Sequence, residues 1–318
     1  MQLLSKRILL QQISIEDTTL NLSPIPDHPL PDRIRRSIGN VGLLHPPIIK
    51  EEAKGFVVVA GRKRLLAAQE LLDVTACTCL LVPATATSAD ALAVALEEII
   101  ANRPATVAEA AVFADKITRF LDEKKAAELF LPRMGLAANV YLLQQLLALS
   151  RLEAPILAAL HKGDLAESVA RELTVMPFSD RLALFEIIDS LNLSISNQKK
   201  ITAACKELAA RRQCSIIDIL KEPAVAEILH HPEANPPQKA ANLMAWLTVQ
   251  KFPRLSEAEE HFRQLAGRLN LPAGVRLSHA PSFEKDTLTL SITFKDQERL
   301  LTIWPEIRTV ITDAQQVE

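Results

Sequence analysis

Positions 57 to 71 read VVVAGRKRLLAAQEL, and no other stretch narrows the fold so far. The run of valines reads as a buried strand. Gly61 breaks it, Arg62, Lys63 and Arg64 follow, and an Ala/Leu segment resumes at helical spacing. A strand that ends in glycine and passes at once into a helix aims the first free N–H groups of the helix at whatever lies above the strand end, which makes an anion site. Three cations there oppose the helix dipole, which favours negative charge at an N-terminus. Their placement is reasonable where a phosphate occupies the spot, and solvated cations at a strand edge are the alternative. The phosphate-loop pattern GxxxxGK[ST] is absent.

The flanking chain supplies a domain for this junction. Residues 13–20 read as a short strand, and SPIPDHPLPD as a loop ending in a helix start at Pro31-Asp32. Ile34, Ile38 and Val41 recur at helical spacing, leaving Arg33, Arg35 and Arg36 on other faces, and Gly42 stops that helix. PPIIKEE and GFVVVAG read as two strands about a polar turn at Lys54-Gly55, and ACTCLLVP as a third. Strands alternating with helices predict an α/β domain. From Ser88, an N-cap candidate, to about Leu220 the chain is rich in Ala, Leu and Glu with no strand pattern. Breaks near Pro104, Pro132, Gly135, Gly163, Pro177 and Asn192–Asn197 divide it into roughly six helices. Two helices follow Pro237, then a strand in GVRLSHAPSF, an alternating strand in TLTLSITF and a final helix. The expectation is an α+β multidomain chain with boundaries at 1–87, 88–222 and 223–318.

Composition limits the function classes. The 318 residues are 48% hydrophobic with 8 glycines and a net charge of −2, so a core is affordable and bulk electrostatics do not make the molecule a polyanion binder. Phosphate binding must come from local placement. Cys77 and Cys79 face one side of a strand, Cys205 and Cys214 sit in helical sequence, and no Cys/His set has zinc spacing. They read as small buried hydrophobes in a reducing compartment. MQLLSKRILL lacks the apolar core of a signal peptide, and no run of about 18 apolar residues appears. The expected location is cytoplasmic, with no membrane partner.

SIGNVGLLHPPII followed by GFVVVAGRKRLLAAQEL resembles the N-terminal domain of ParB-type chromosome and plasmid partition proteins. Those carry a GLxxPxxV-like strand and then a GERRxRA-like phosphate-binding turn. Gly42, Leu43, Leu44 and Pro47 fall on the first motif, and Gly61, Arg62, Lys63, Arg64 and Ala67 on the second. The resemblance is good over about residues 30–83 and continues more weakly to about 190. It implies a ParB/sulfiredoxin-like domain that binds CTP with magnesium, the basic turn on the phosphates and a later ENxxR motif completing the site. The matching helix here reads LEEIIANRP. Glu98 stands for the Glu, Ile99 for the Asn and Asn102 for the Arg, while Arg103 lies one step on, about 100° around the helix. Arg62 also replaces the Glu of the turn. The implied nucleotide-phosphate residues are Gly61, Arg62, Lys63, Arg64, Glu98 and Arg103. No catalytic residue and no metal ligand is assigned, and CTP hydrolysis is expected to be weak. The related sulfiredoxins use a Cys in this turn, which has none here. An enzyme of the same fold that cleaves or transfers a nucleotide phosphate, with Glu98 as general base, is the alternative. A non-catalytic partner-binding relative is another.

KKAAELFLPRMGLAANVYLLQQLLALS is similar to the family's helix-turn-helix: Ala126-Ala127 in a first helix, Gly135 in the turn, a second helix to about Ser150. LHKGDLAESVAREL follows the family's l..G.ls.ghAraL pattern. The resemblance implies DNA contacts by Lys124, Lys125 and Arg133 to phosphates and by Asn139, Gln144 and Gln145 to bases. Met134 to Leu149 carries no charge, so a buried packing helix stays open as the other reading. Lys199, Lys200, Lys206, Arg211 and Arg212 form a separate basic stretch. The last 80 or so residues share the helix–strand–strand–helix order of the family's dimerisation domain, with Leu288, Leu290, Ile292 and Phe294 as an apolar strand face. That face packing on its own helices is the alternative. The expected partners are DNA, a second copy and a partition ATPase, with nucleoid association if DNA is bound.

Overall fold

The computed structural model describes residues 2–27, 29–53, 55–72, 74–269, 271–280 and 287–314. Two compact units emerge, Met1–Lys199 and Lys200–Glu318.

The first unit opens with a five-stranded sheet: β1 (Leu4–Leu9), β2 (Ile13–Ser14), β3 (Ile48–Glu52), β4 (Gly55–Ala60) and β5 (Ala76–Val82), in the order β1-β5-β3-β4-β2. β3 and β4 form the expected antiparallel hairpin, although Lys54 of its turn lies outside the described residues. β5 runs parallel to β3, so the chain from β4 to β5 must cross over, and α2 (Arg62–Leu71) makes that crossing. Helix α1 (Asp32–Val41) packs on α2. Leu65, Ala67 and Ala68 of α2 are fully buried and share one core with Ile49, Val58 and Cys79 of the sheet. Burying a Leu or Ile is worth about 1.5–3 kcal/mol, so the junction at Gly61 is held rigidly from beneath.

Several expectations need correction. β1 has only Ile8 buried, and its charged, exposed sequence gives no alternating pattern. Pairing with β5 along Leu4–Leu9 makes it a strand. The strand expected over 13–20 is only Ile13–Ser14, after which Ile15 and Leu20 anchor a loop in the core. Val41 is exposed rather than on the apolar face of α1. Gly42 does end α1, at φ +73° with its N–H on the Ile38 carbonyl.

The helices that follow are α3 (Ser88–Ile100), α4 (Val107–Ile117), α5 (Glu123–Phe130), α6 (Val140–Ser150), α7 (Ala154–Lys162), α8 (Glu167–Leu173), α9 (Phe178–Ser190), α10 (Ile195–Arg212) and α11 (Ile216–Leu220). Nine helices stand among the described residues where about six were expected. Two of the missed starts are marked by caps rather than by Gly or Pro: Asp122 accepts from the Lys125 N–H, and Ser215 forms a capping box with Asp218. The third, that of α7, has no side-chain cap and carries Pro155 in its first turn. Thr87, not Ser88, caps α3, in a capping box with Asp90.

In the second unit α12 (Pro223–His230), α13 (Pro236–Lys251) and α14 (Pro253–Arg268) precede β6 (Val275–His279), β7 (Leu288–Ile292) and α15 (Gln297–Ala314). β6 and β7 pair antiparallel, with Leu277 opposite Leu290. Residues 281–283 of the expected GVRLSHAPSF strand lie outside the described residues. Leu290 and Ile292 are half-buried, Leu288 is exposed, and Phe294 lies beyond the strand and is exposed.

Candidate functional site

Gly61 sits at φ +87°, and a Cβ there would lie 2.9 Å from Arg64 Nη2 and 3.1 Å from Pro47 Cα. Only glycine makes this turn without strain. Its carbonyl accepts from the N–H groups of Arg64 (2.9 Å) and Leu65 (3.1 Å), and no side chain caps α2. The N–H groups of Arg62 and Lys63 are therefore outside the helical ladder and open at the positive end of the dipole. They stand at a groove of about 1040 Å³. The turn forms its floor, the loop over residues 21–27 one wall, and α3 with the link to α4 the other. Five cationic side chains line it (Arg33, Arg62, Lys63, Arg64 and Arg103) against three carboxylates.

Those carboxylates divide the work of the cations. Arg62 is nearly buried, with Nε 2.5 Å from Asp27 Oδ2 and Nη1 donating to the Asp17 carbonyl at 2.7 Å. It clamps the loop before α1 onto the turn. Arg64 folds back over Gly61 and donates to Glu98 Oε1 (2.9 Å) and the His45 carbonyl (3.0 Å). Arg103 makes a bidentate pair with Glu109, Nη1 to Oε2 at 2.8 Å and Nη2 to Oε1 at 2.5 Å. Lys63 is half-buried and has no hydrogen bond or ion pair among the described residues. Ile99 and Asn102 both line the groove, and the Asn102 amide donates back to the Glu98 carbonyl at 2.6 Å.

The structure adds residues that sequence reasoning missed. Thr106 caps α4, its Oγ1 accepting from the Glu109 N–H at 3.2 Å while Glu109 Oε2 accepts from the Thr106 N–H at 2.9 Å. His161, at the end of α7, has Nδ1 2.9 Å from Thr106 Oγ1. Burial pushes the Glu109 carboxyl up, but Arg103 and the Thr106 N–H outweigh it and hold the group below the usual carboxylate range. Burial holds His161 below its ordinary value, and Arg103, Lys63 and Lys162 add to that effect against Glu109. The T-x-x-E spacing of Thr106 and Glu109 was a readable capping box. Nothing local marks His161.

The residues expected on DNA are placed differently. Lys124 and Lys125 are exposed on α5, with Lys125 Nζ 3.6 Å from Asp122. Arg133 pairs with Glu97 at 3.1 Å and lies over the Phe130 ring. Asn139 spends its side-chain oxygen capping α6. Gln144 donates to Glu123 at 3.1 Å, and Gln145 accepts from Arg171 at 2.5 Å. Ala126 and Ala127 are buried in α5, and Gly135 takes φ +75° between α5 and α6. In the second unit Arg211 donates to the carbonyls of Gln250 and Lys251, and Arg212 pairs with Glu222 at 2.5 Å. Both tie the end of α10 to neighbouring helices.

Among the described residues no group of three His, Cys, Asp or Glu is arranged to hold a metal ion, and no helix is long and apolar enough to cross a membrane. No family model matches the sequence, and no curated protein does. Solved structures do match. The chain is similar to a chromosome-partitioning ParB. That protein is the C-terminally truncated ParB from Caulobacter crescentus complexed to the centromeric parS site, at 17% identity and a TM-score of 0.33, over 62% of this chain and 98% of that one. The same protein complexed with CTP-gamma-S matches at 18% identity and a TM-score of 0.23, over 58% of this chain and 98% of that one.

Proposed function

We propose that the chain is a ParB-like DNA-binding protein, serving chromosome or plasmid partition or a related regulatory task, whose first unit binds the phosphates of a nucleotide at the start of α2. The observation that carries the reading is the uncapped α2 N-terminus at Gly61, with Lys63 beside it, unpaired among the described residues, in a groove large enough for a nucleotide. Lys63 and the N–H groups of Arg62 and Lys63 meet the phosphates directly. Arg103 stands ready to exchange a carboxylate oxygen for a phosphate oxygen, Arg64 stays on Glu98 and adds its charge to the site, and Arg62 acts by holding the wall of the groove. CTP is the nucleotide that the sequence resemblance implies. A magnesium ion accompanying it would rest mainly on the phosphates, because Glu98 already accepts from Arg64. The same contact weakens Glu98 as a general base and counts against the phosphate-cleaving alternative. Calorimetric titration with CTP, ATP and GTP tests the reading: saturable heat below about 1 mM that disappears in Lys63→Ala supports it. No heat with any of the three removes it.

DNA is bound, on this reading, through the helices of the first unit, with Lys124, Lys125 and Arg133 on phosphates. Base readout by Asn139, Gln144 and Gln145 requires each amide to leave its present partner, so sequence discrimination by one copy is weak. A second copy of the chain supplies the rest. Leu288 and Phe294, on and just beyond a two-stranded sheet, and Leu301 and Trp304, on α15, are exposed apolar groups, and such a sheet is marginal by itself. Pairing through this region joins two half-sites, and a partition ATPase belongs to the same reading as a partner. Light scattering of Trp304→Glu beside the parent chain tests the dimer: an unchanged mass shows that this surface does not make it.

A further inference from the structure

The groove has a wall of which the phosphate reading uses only Arg103. Arg103, Glu109, Thr106 and His161 come from the α3–α4 link, α4 and the end of α7, and they form one connected chain. The Arg103 guanidinium is bidentate on Glu109, Glu109 closes the capping box with Thr106, and Thr106 Oγ1 meets His161 Nδ1 at 2.9 Å. Thr106 Oγ1 also lies 3.2 Å from Glu109 Oε2. A hydroxyl has one proton. When Thr106 donates it to Glu109, its oxygen is left to accept from His161 Nδ1–H, and this fixes the ring as the Nδ1–H tautomer with the Nε2 lone pair free. Arg103, Thr106, Glu109 and His161 all line the same groove as Lys63.

We propose that His161 completes an anion-binding wall with Lys63 and Arg103, and that it takes up a proton at Nε2 when a phosphate enters. The inference rests on the phosphate reading of the groove and specifies how that site responds to pH. The charged groups facing the ring are Lys63 from α2, Arg103 from the α3–α4 link, Glu109 from α4 and Lys162 from α7. Burial, with the three cations adding to it against Glu109, holds the imidazole below its ordinary value. A phosphate between Lys63 and Arg103 reverses that balance, because its charge offsets theirs and its oxygen accepts from a protonated Nε2. Ligand binding and proton binding then assist one another. A rise of about one pH unit in the titration of His161 corresponds to roughly tenfold tighter binding at acid pH.

The test is calorimetric titration of the full chain with sodium tripolyphosphate, and separately with CTP, at pH 7 in buffers of differing ionisation enthalpy. The parent chain is compared with His161→Asn, whose amide keeps a donor toward Thr106. The melting temperature of the variant checks its fold, and Thr106→Val serves as a second variant that releases the ring without removing it. The inference expects the parent to take up a substantial fraction of a proton more than His161→Asn, and its affinity to fall more steeply, by about tenfold, from pH 6 to pH 8. Uptake with CTP but not with tripolyphosphate would assign the wall to the nucleoside end and overturn the phosphate contact. Binding with equal proton uptake in parent and variant overturns the inference and leaves the phosphate reading standing. No binding of either ligand overturns both.

Discussion

Replacing Gly61 by alanine perturbs the proposed site at the one atom the backbone cannot accommodate. The added Cβ must sit in left-handed space, at about 1–2 kcal/mol for a residue with a side chain. It also meets Arg64 Nη2 at 2.9 Å, Arg64 Nε at 3.1 Å and Pro47 Cα at 3.1 Å. The guanidinium can swing away, which costs its contact with Glu98, whereas Pro47 is backbone and must shift, at about 1 kcal/mol or more. The sum is about 2–3 kcal/mol. For a unit of 150–250 residues about 2–4 °C accompanies each kcal/mol, so the transition containing this unit should fall by about 4–12 °C. Gly39, inside α1, is the control, since a Cβ there meets nothing within 4 Å. Gly39→Ala should stabilise by about 0.5–1 kcal/mol through helix propensity. Differential scanning calorimetry of the three full chains reads both numbers. A Gly61→Ala protein melting within a degree of the parent would refute the reasoning about the turn.

Lys116 on α4 donates to the carbonyls of Thr18 (2.6 Å) and Thr19 (2.9 Å), and burial, aided by Arg119, pulls it down to about 8. Between about pH 8 and 10.5 the unfolded chain holds this proton more firmly than the fold, so stability should rise with pH across that window. Urea titrations of the parent and Lys116→Met should show their difference growing from pH 7.5 to 10, and a flat difference contradicts this. Arg62→Met should leave Asp27 without its partner and destabilise by about 1–3 kcal/mol, read by the same titrations, whereas a change below 0.5 kcal/mol would mean that the clamp is absent. For DNA, the affinity of a duplex fragment should fall with salt at a log–log slope of about −0.9 per phosphate neutralised, and Lys124→Ala with Lys125→Ala together should flatten it by about two such steps. An unchanged slope places the contacts elsewhere.

The strand–glycine–helix junction was legible because its signals are local. A valine run, a glycine needed at positive φ and an Ala/Leu helix each state themselves within a few residues. What the cations at that junction do was not legible, since their carboxylate partners are distant in sequence. Arg62 meets Asp27, Arg64 meets Glu98 and Arg103 meets Glu109, and no spacing rule joins the first two pairs. Lys63, the middle cation of three alike, is singled out only by having no such partner among the described residues. The same holds for the amides of α6. Gln144 and Gln145 read as free amides in sequence, yet each is engaged by a residue that only the packing brings near, Glu123 and Arg171, while Asn139 is taken up locally as the cap of its own helix. β1 escaped notice because pairing with β5, not its own pattern, makes it a strand.

The amide resonances of the α2 N-terminus test the central claim most directly. Titrating CTP, and then tripolyphosphate, into isotopically labelled full chain should shift the backbone amides of Arg62 and Lys63 furthest, with Gly61 and Arg64 following and Lys124 and Lys125 unmoved. The same titration of Lys63→Ala should give smaller shifts at higher ligand concentration. Shifts that leave Gly61–Arg64 untouched while resonances elsewhere respond would contradict the assignment of this turn as the phosphate site.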